Sequence, residues 1–95
     1  MFRACRKPPE ITAVYYIGTP RCVQEVIELI HDVEWYNQTS EHLEVKRPNQ
    51  DDTICVYKDC YLLKVVYYGN GQKTTQFQSV TAKVFDTEYE RVGYV

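Results

Sequence analysis

The stretch from Asp59 to Tyr89 constrains this chain most. Tyr61-Leu62-Leu63-Lys64-Val65-Val66-Tyr67-Tyr68 is followed by Gly69-Asn70-Gly71 and then by Gln72-Lys73-Thr74-Thr75-Gln76-Phe77-Gln78. Two β-favouring runs around a glycine turn predict a hairpin, with Gly69 and Gly71 accepting positive φ and Asn70 tolerating it. Tyr61, Leu63, Val65 and Tyr67 fall on one face; Leu62, Lys64, Val66 and Tyr68 fall on the other. The return run is polar apart from Phe77, so its outward side is wet. Thr81 can cap a helix over Ala82 to Arg91, with Val84, Phe85 and Tyr89 on one face. Gly93-Tyr94-Val95 is expected to fray.

The rest of the chain is read as packing on this ribbon. Residues 1–9 form an extended arm, because Pro8-Pro9 fixes extended geometry before it. Arg3, Arg6 and Lys7 give the arm a charge of about +3, counting groups always charged at neutral pH. It reads as a solvated edge, with contact to phosphate or an acidic partner as the sharper alternative. Glu10 to Ile17 alternates as a strand, Ile11, Ala13, Tyr15 and Ile17 on one side and Thr12, Val14 and Tyr16 on the other. Apolar residues on both faces predict a central strand. Thr19 and Pro20 open an amphipathic helix over Arg21 to Asp32, whose apolar side is Val23, Val26, Ile27 and Ile30. His31 falls at its C-terminal end, where a cation is favoured by the dipole.

Trp35, the single tryptophan, lies in a short strand or helix exit over Val33 to Tyr36 and is expected to be partly buried. Asn37 to Ser40 reads as loop. Glu41 to Val45 reads as a weak strand with Leu43 and Val45 inward. Residues 47–52 read as loop, and Thr53 to Tyr57 as a strand with Ile54 and Val56 on one face. The order predicts one α+β domain over residues 1–95: a small, mainly antiparallel sheet, one amphipathic helix packed on it and a short C-terminal helix.

Composition narrows the function classes. Hydrophobic residues make up 44% and charged residues 25%, which argues for a folded soluble domain. Net charge is −2 with pI ≈ 5.6, so no strong pull toward nucleic acid or anionic membrane is expected. No apolar run reaches the roughly 18–20 residues of a membrane span. The basic N-terminus has no apolar stretch behind it, so it does not read as a signal peptide, and a cytoplasmic location is expected. Cys5, Cys22, Cys55 and Cys60 are then expected as free thiols. Cys55 and Cys60 with His31 or His42 match no standard zinc spacing, and Cys22 and Cys55 sit in core-like contexts.

The residues also carry a resemblance. Arg6-Lys7-Pro8-Pro9-Glu10-Ile11-Thr12-Ala13-Val14 followed by Gly18, the helix Val23 to Ile30, Asp59-Cys60-Tyr61-Leu62-Leu63-Lys64 and Val84-Phe85-Asp86-Thr87-Glu88-Tyr89-Glu90 occur in that order. This resembles small uncharacterised bacteriophage and prophage proteins. Those have a basic Lys-Pro arm, a Gly-Asp-Tyr-Ile-Ile-Lys strand and a closing Ile-Phe-Glu-x-Thr-Tyr-Glu helix. Lys58 stands where that pattern has glycine, and Ala82 where it often has proline. The resemblance implies a small phage accessory protein acting in the host cytoplasm, and carries no catalytic residue across.

No nucleophile, base and orienting group recur at a catalytic spacing, and Asp51-Asp52 reads as a solvated turn, so no enzyme activity, metal or cofactor is expected. Nine tyrosines favour partner contact instead. The expected contact residues are Tyr61, Tyr67, Tyr68, Phe77, Trp35, Arg3, Arg6 and Lys7. The leading reading is protein–protein interaction with a host factor, with homodimerisation through a sheet edge as a further expectation. The alternative is a single-stranded nucleic-acid module that stacks bases on Tyr and Phe and uses Lys and Arg on the backbone.

Overall fold

The computed structural model describes residues 1–93; the expected fraying at Tyr94 and Val95 lies outside the described residues. The chain is α+β, in the order β1 (Glu10–Tyr16), α1 (Pro20–Ile30), β2 (Trp35–Gln38), β3 (His42–Lys46), β4 (Thr53–Tyr57), β5 (Cys60–Gly69), β6 (Gln72–Thr81) and α2 (Ala82–Glu88). The strands form two antiparallel three-stranded sheets, β1-β5-β6 and β2-β3-β4, where the alternation had suggested one.

The first sheet grows from the expected hairpin. Gly69 pairs with Gln72, so the turn itself is Asn70-Gly71, with φ of 52° and 73°. An Asn-Gly pair with both φ positive matches the twist of the flanking strands. Gly69 therefore ends β5 and is not the residue that needs positive φ. β6 continues past Gln78 because Ser79, Val80 and Thr81 pair with Leu62, Tyr61 and Cys60. Thr81 Oγ1 then accepts from the Val84 N–H at 3.2 Å and starts α2. The helix stops at Glu88, short of Arg91. Thr87 Oγ1 donates back to the Lys83 carbonyl at 2.9 Å, and Tyr89 turns extended to stay against Phe85.

Among the described residues β1 pairs only with β5, which places it at the edge of its sheet and not at the centre. Val14 and Tyr16 are buried on its inner face, while Ile11 and Tyr15 remain 44% and 38% exposed on the outer face. Alternation reports what lies above and below a strand and carries no information about its sides.

α1 begins where Thr19 Oγ1 accepts from the Cys22 N–H at 3.2 Å and Pro20 takes the first turn. Its buried side, Cys22, Val23, Val26 and Ile30, meets Val14, Tyr16 and Leu62 of the first sheet and Leu43, Val45 and Val56 of the second. This is the main core. Gln38, which the sequence reading placed in a loop, belongs to β2. Its Nε2 donates to the Tyr16 hydroxyl at 3.3 Å and to the Gly18 carbonyl at 2.8 Å, tying the second sheet to the first. A second core on the far face of the first sheet joins Tyr61, Leu63, Val65 and Phe85, with Val80, Ala82 and Tyr89 packed against it.

Candidate functional site

The expected contact residues do not converge. Tyr61 is buried, at the centre of a ring stack: 4.8 Å from Tyr15, 3.8 Å from Phe85, with Tyr89 a further 5.3 Å beyond. Arg91 Nη2 donates to its hydroxyl at 2.8 Å. Tyr61 is thus a core residue and offers no surface ring. Phe77 is half-buried, and the Arg47 guanidinium lies 5.2 Å over its face, where a base would have to stack. Trp35 is 45% exposed on the second sheet, less buried than expected. It pairs with Lys46 at the edge strand β2, remote in register from any residue of the first sheet. Tyr67 lies exposed on the outer face of β5.

The arm residues do have a neighbour. Lys7 Nζ lies 5.6 Å over the Tyr68 ring. The nearby Glu10 carboxylate, with burial, raises the pKa of the Tyr68 hydroxyl. The base of the arm is thereby held against β5, while residues 1–9 are exposed throughout.

The feature that sequence reasoning missed is a groove along the open side of β1, with a volume of about 1090 Å³. Ile11, Ala13 and Tyr15 form its floor. Arg21, Gln24, Glu25 and Glu28 of α1 form one wall, and Tyr89, Glu90 and Arg91 belong to the other. Its floor is a row of backbone groups. Cys22 Sγ donates to the Tyr15 carbonyl at 3.5 Å, so that carbonyl points away from β5. In an antiparallel pair, the N–H and C=O of every second residue face outward together. Ile11 and Ala13 share the parity of Tyr15 and direct theirs into the groove. The only signal for this in the sequence is the apolar pattern of β1, and it identifies the strand without its open side.

A smaller cavity of about 270 Å³ lies where the sheets meet, lined by Arg47, Lys64, His31, Asp32 and Thr75 among others. Arg47 Nε is buried there without a hydrogen-bond partner among the described residues.

The thiols and histidines do not assemble a reaction centre. Burial raises the Cys55 pKa, the Tyr57 hydroxyl works in the opposite direction, and Glu44 adds to the rise, which keeps this thiol protonated. His42 Nε2 lies 3.1 Å from Glu44 and its ring 5.2 Å from Tyr57, on the outer face of the second sheet. Among the described residues, no three of His, Cys, Asp and Glu group as metal ligands, and no helix is long and apolar enough to cross a membrane. Compared with known proteins, the chain matches no family model, no curated protein and no solved structure.

Proposed function

We propose that this is a small phage accessory protein that works by protein–protein contact rather than catalysis, and that it takes an extended segment of a host protein as an added strand on β1. One observation carries the reading: β1 is an open edge at the floor of a groove, with the backbone groups of Ile11 and Ala13 directed into it. Strand addition draws its affinity from such main-chain groups and its selectivity from side-chain pockets on either side. Ile11 and Tyr15 supply exposed apolar contacts on the outer face. The phage and host terms rest on the sequence resemblance, and host cytoplasm follows from them.

Ala13→Pro tests the strand-addition reading. Proline removes an N–H that β5 does not use, so the edge position tolerates it and the fold is retained. Loss, in the variant, of a host protein captured by the unmodified chain supports the reading, with circular dichroism unchanged. Equal capture by both chains overturns it.

A further inference from the structure

We infer that the groove along β1, when no host segment occupies it, receives the N-terminal arm, Met1 to Lys7, of a second copy of this chain, so that two copies exchange arms about a two-fold axis near Pro8-Pro9. This rests on the reading that the β1 edge accepts a strand and names an occupant for it.

Charge is the first argument. The arm carries Arg3, Arg6 and Lys7 and no acid. The groove is lined by Glu25, Glu28, Glu88 and Glu90 against Arg21 and Arg91. Glu25 is engaged by Arg21 at 3.4 Å, whereas Glu28, Glu88 and Glu90 carry no ion-pair partner among the described residues. A basic strand laid between the walls meets carboxylates on both sides.

Reach is the second argument. Seven extended residues span about 24 Å, the length of seven-residue β1. The arm is fully exposed, Phe2 at 88%, and it projects from the body. The radius of gyration is 15.0 Å, against about 12 Å for a compact domain of this length. Phe2, so exposed, is the apolar anchor that such a strand needs.

Connectivity decides whose arm it is. To lie on its own β1, the arm would have to reverse at Pro8-Pro9. The favoured two-residue hairpin turns need positive φ at one or both central residues, proline is fixed near −65°, and no residue from Met1 to Glu10 has positive φ. The arm therefore continues the line of β1 outward. Two such strands, antiparallel about an axis at the prolines, each set an arm against the other copy's β1. The contact is self-complementary, as two-fold symmetry requires.

Reversing charge on each half in the full chain tests this. One variant carries Arg3→Glu and Arg6→Glu; the other carries Glu28→Lys and Glu90→Lys. Light scattering after size exclusion should give twice the chain mass for the unmodified protein. Each variant alone should self-associate at least about tenfold more weakly, because its arm and groove now repel. An equimolar mixture should recover the dimer, since each arm then finds a groove of opposite sign. A monomeric unmodified chain, or variants that dimerise unimpaired, or a mixture that stays monomeric, overturns the arm exchange. If Ala13→Pro still abolishes host capture in that event, the strand-addition reading stands and only the choice of a second copy falls.

Discussion

His31 is the residue held furthest from its comfortable conformation. It ends α1 at φ 71° and ψ −50°, and the Asp32 N–H bonds to the Ile30 carbonyl at 2.9 Å across it. That is a γ-turn of the strained hand, which a side chain disfavours by roughly 1–2 kcal/mol. The backbone there is held because the His31 N–H bonds to the Ile27 carbonyl at 2.8 Å while the chain must leave for β2. His31→Gly is expected to raise stability by about 0.5–1 kcal/mol in urea unfolding, since glycine relieves the strain but adds unfolded-chain entropy. Gly18 shows the same demand met by the sequence. Its φ is 86°, and a Cβ there would sit 2.6 Å from the Lys58 side chain. The place of His31 at the helix end was legible from helical spacing. Its φ was not, because it follows from where β2 lies.

Among the elements, α2 depends most on what it touches. At seven residues it is too short to persist alone in water, and Phe85 is its one buried side chain. The Tyr61–Phe85 stack at 3.8 Å therefore fastens the helix to the sheet. Phe85→Ala is expected to destabilise the protein by about 3 kcal/mol, through lost burial and the cavity left behind. Far-ultraviolet dichroism should lose helix in step, and unchanged helicity would place the anchor elsewhere. The spacing of Val84, Phe85 and Tyr89 predicted the helix and the inward turn of Phe85, whereas Val84 is exposed and Tyr89 packs from beyond the helix end. It did not predict that Tyr61, read as a surface ring, would be the residue beneath it.

At the scale of the whole molecule, Tyr16 and Gln38 bind the two sheets together. Tyr16 is fully buried, and burial raises its hydroxyl pKa above 10.0, opposed by the Gln38 hydrogen bond and assisted by the nearby Cys22 thiol. The folded chain thus favours the protonated phenol. Its contribution to stability is complete below pH 10 and falls as pH rises from there through the folded value. The melting temperature should decline above pH 10 in the unmodified protein and decline less in Tyr16→Phe. Tyr15 and Tyr68, also raised, leave a residual slope in the variant. Identical slopes would show that the phenol of Tyr16 is not the group concerned.

Local physics in the sequence determined the course of β1, β3, β4, β5 and β6, the start of both helices with their N-caps, the glycine turn and the apolar side of α1, but not β2 or the end of α2. Each of these is decided within a few residues, by side-chain period, by a hydroxyl near free N–H groups, or by an allowed φ. Tertiary structure alone decided that six strands divide into two sheets, that β1 lies at an edge with a groove beside it, and that Tyr61 and Phe77 face protein rather than solvent. Strand partners are chosen by contacts between distant segments, and a period of two records the faces of a strand while leaving its neighbours unspecified.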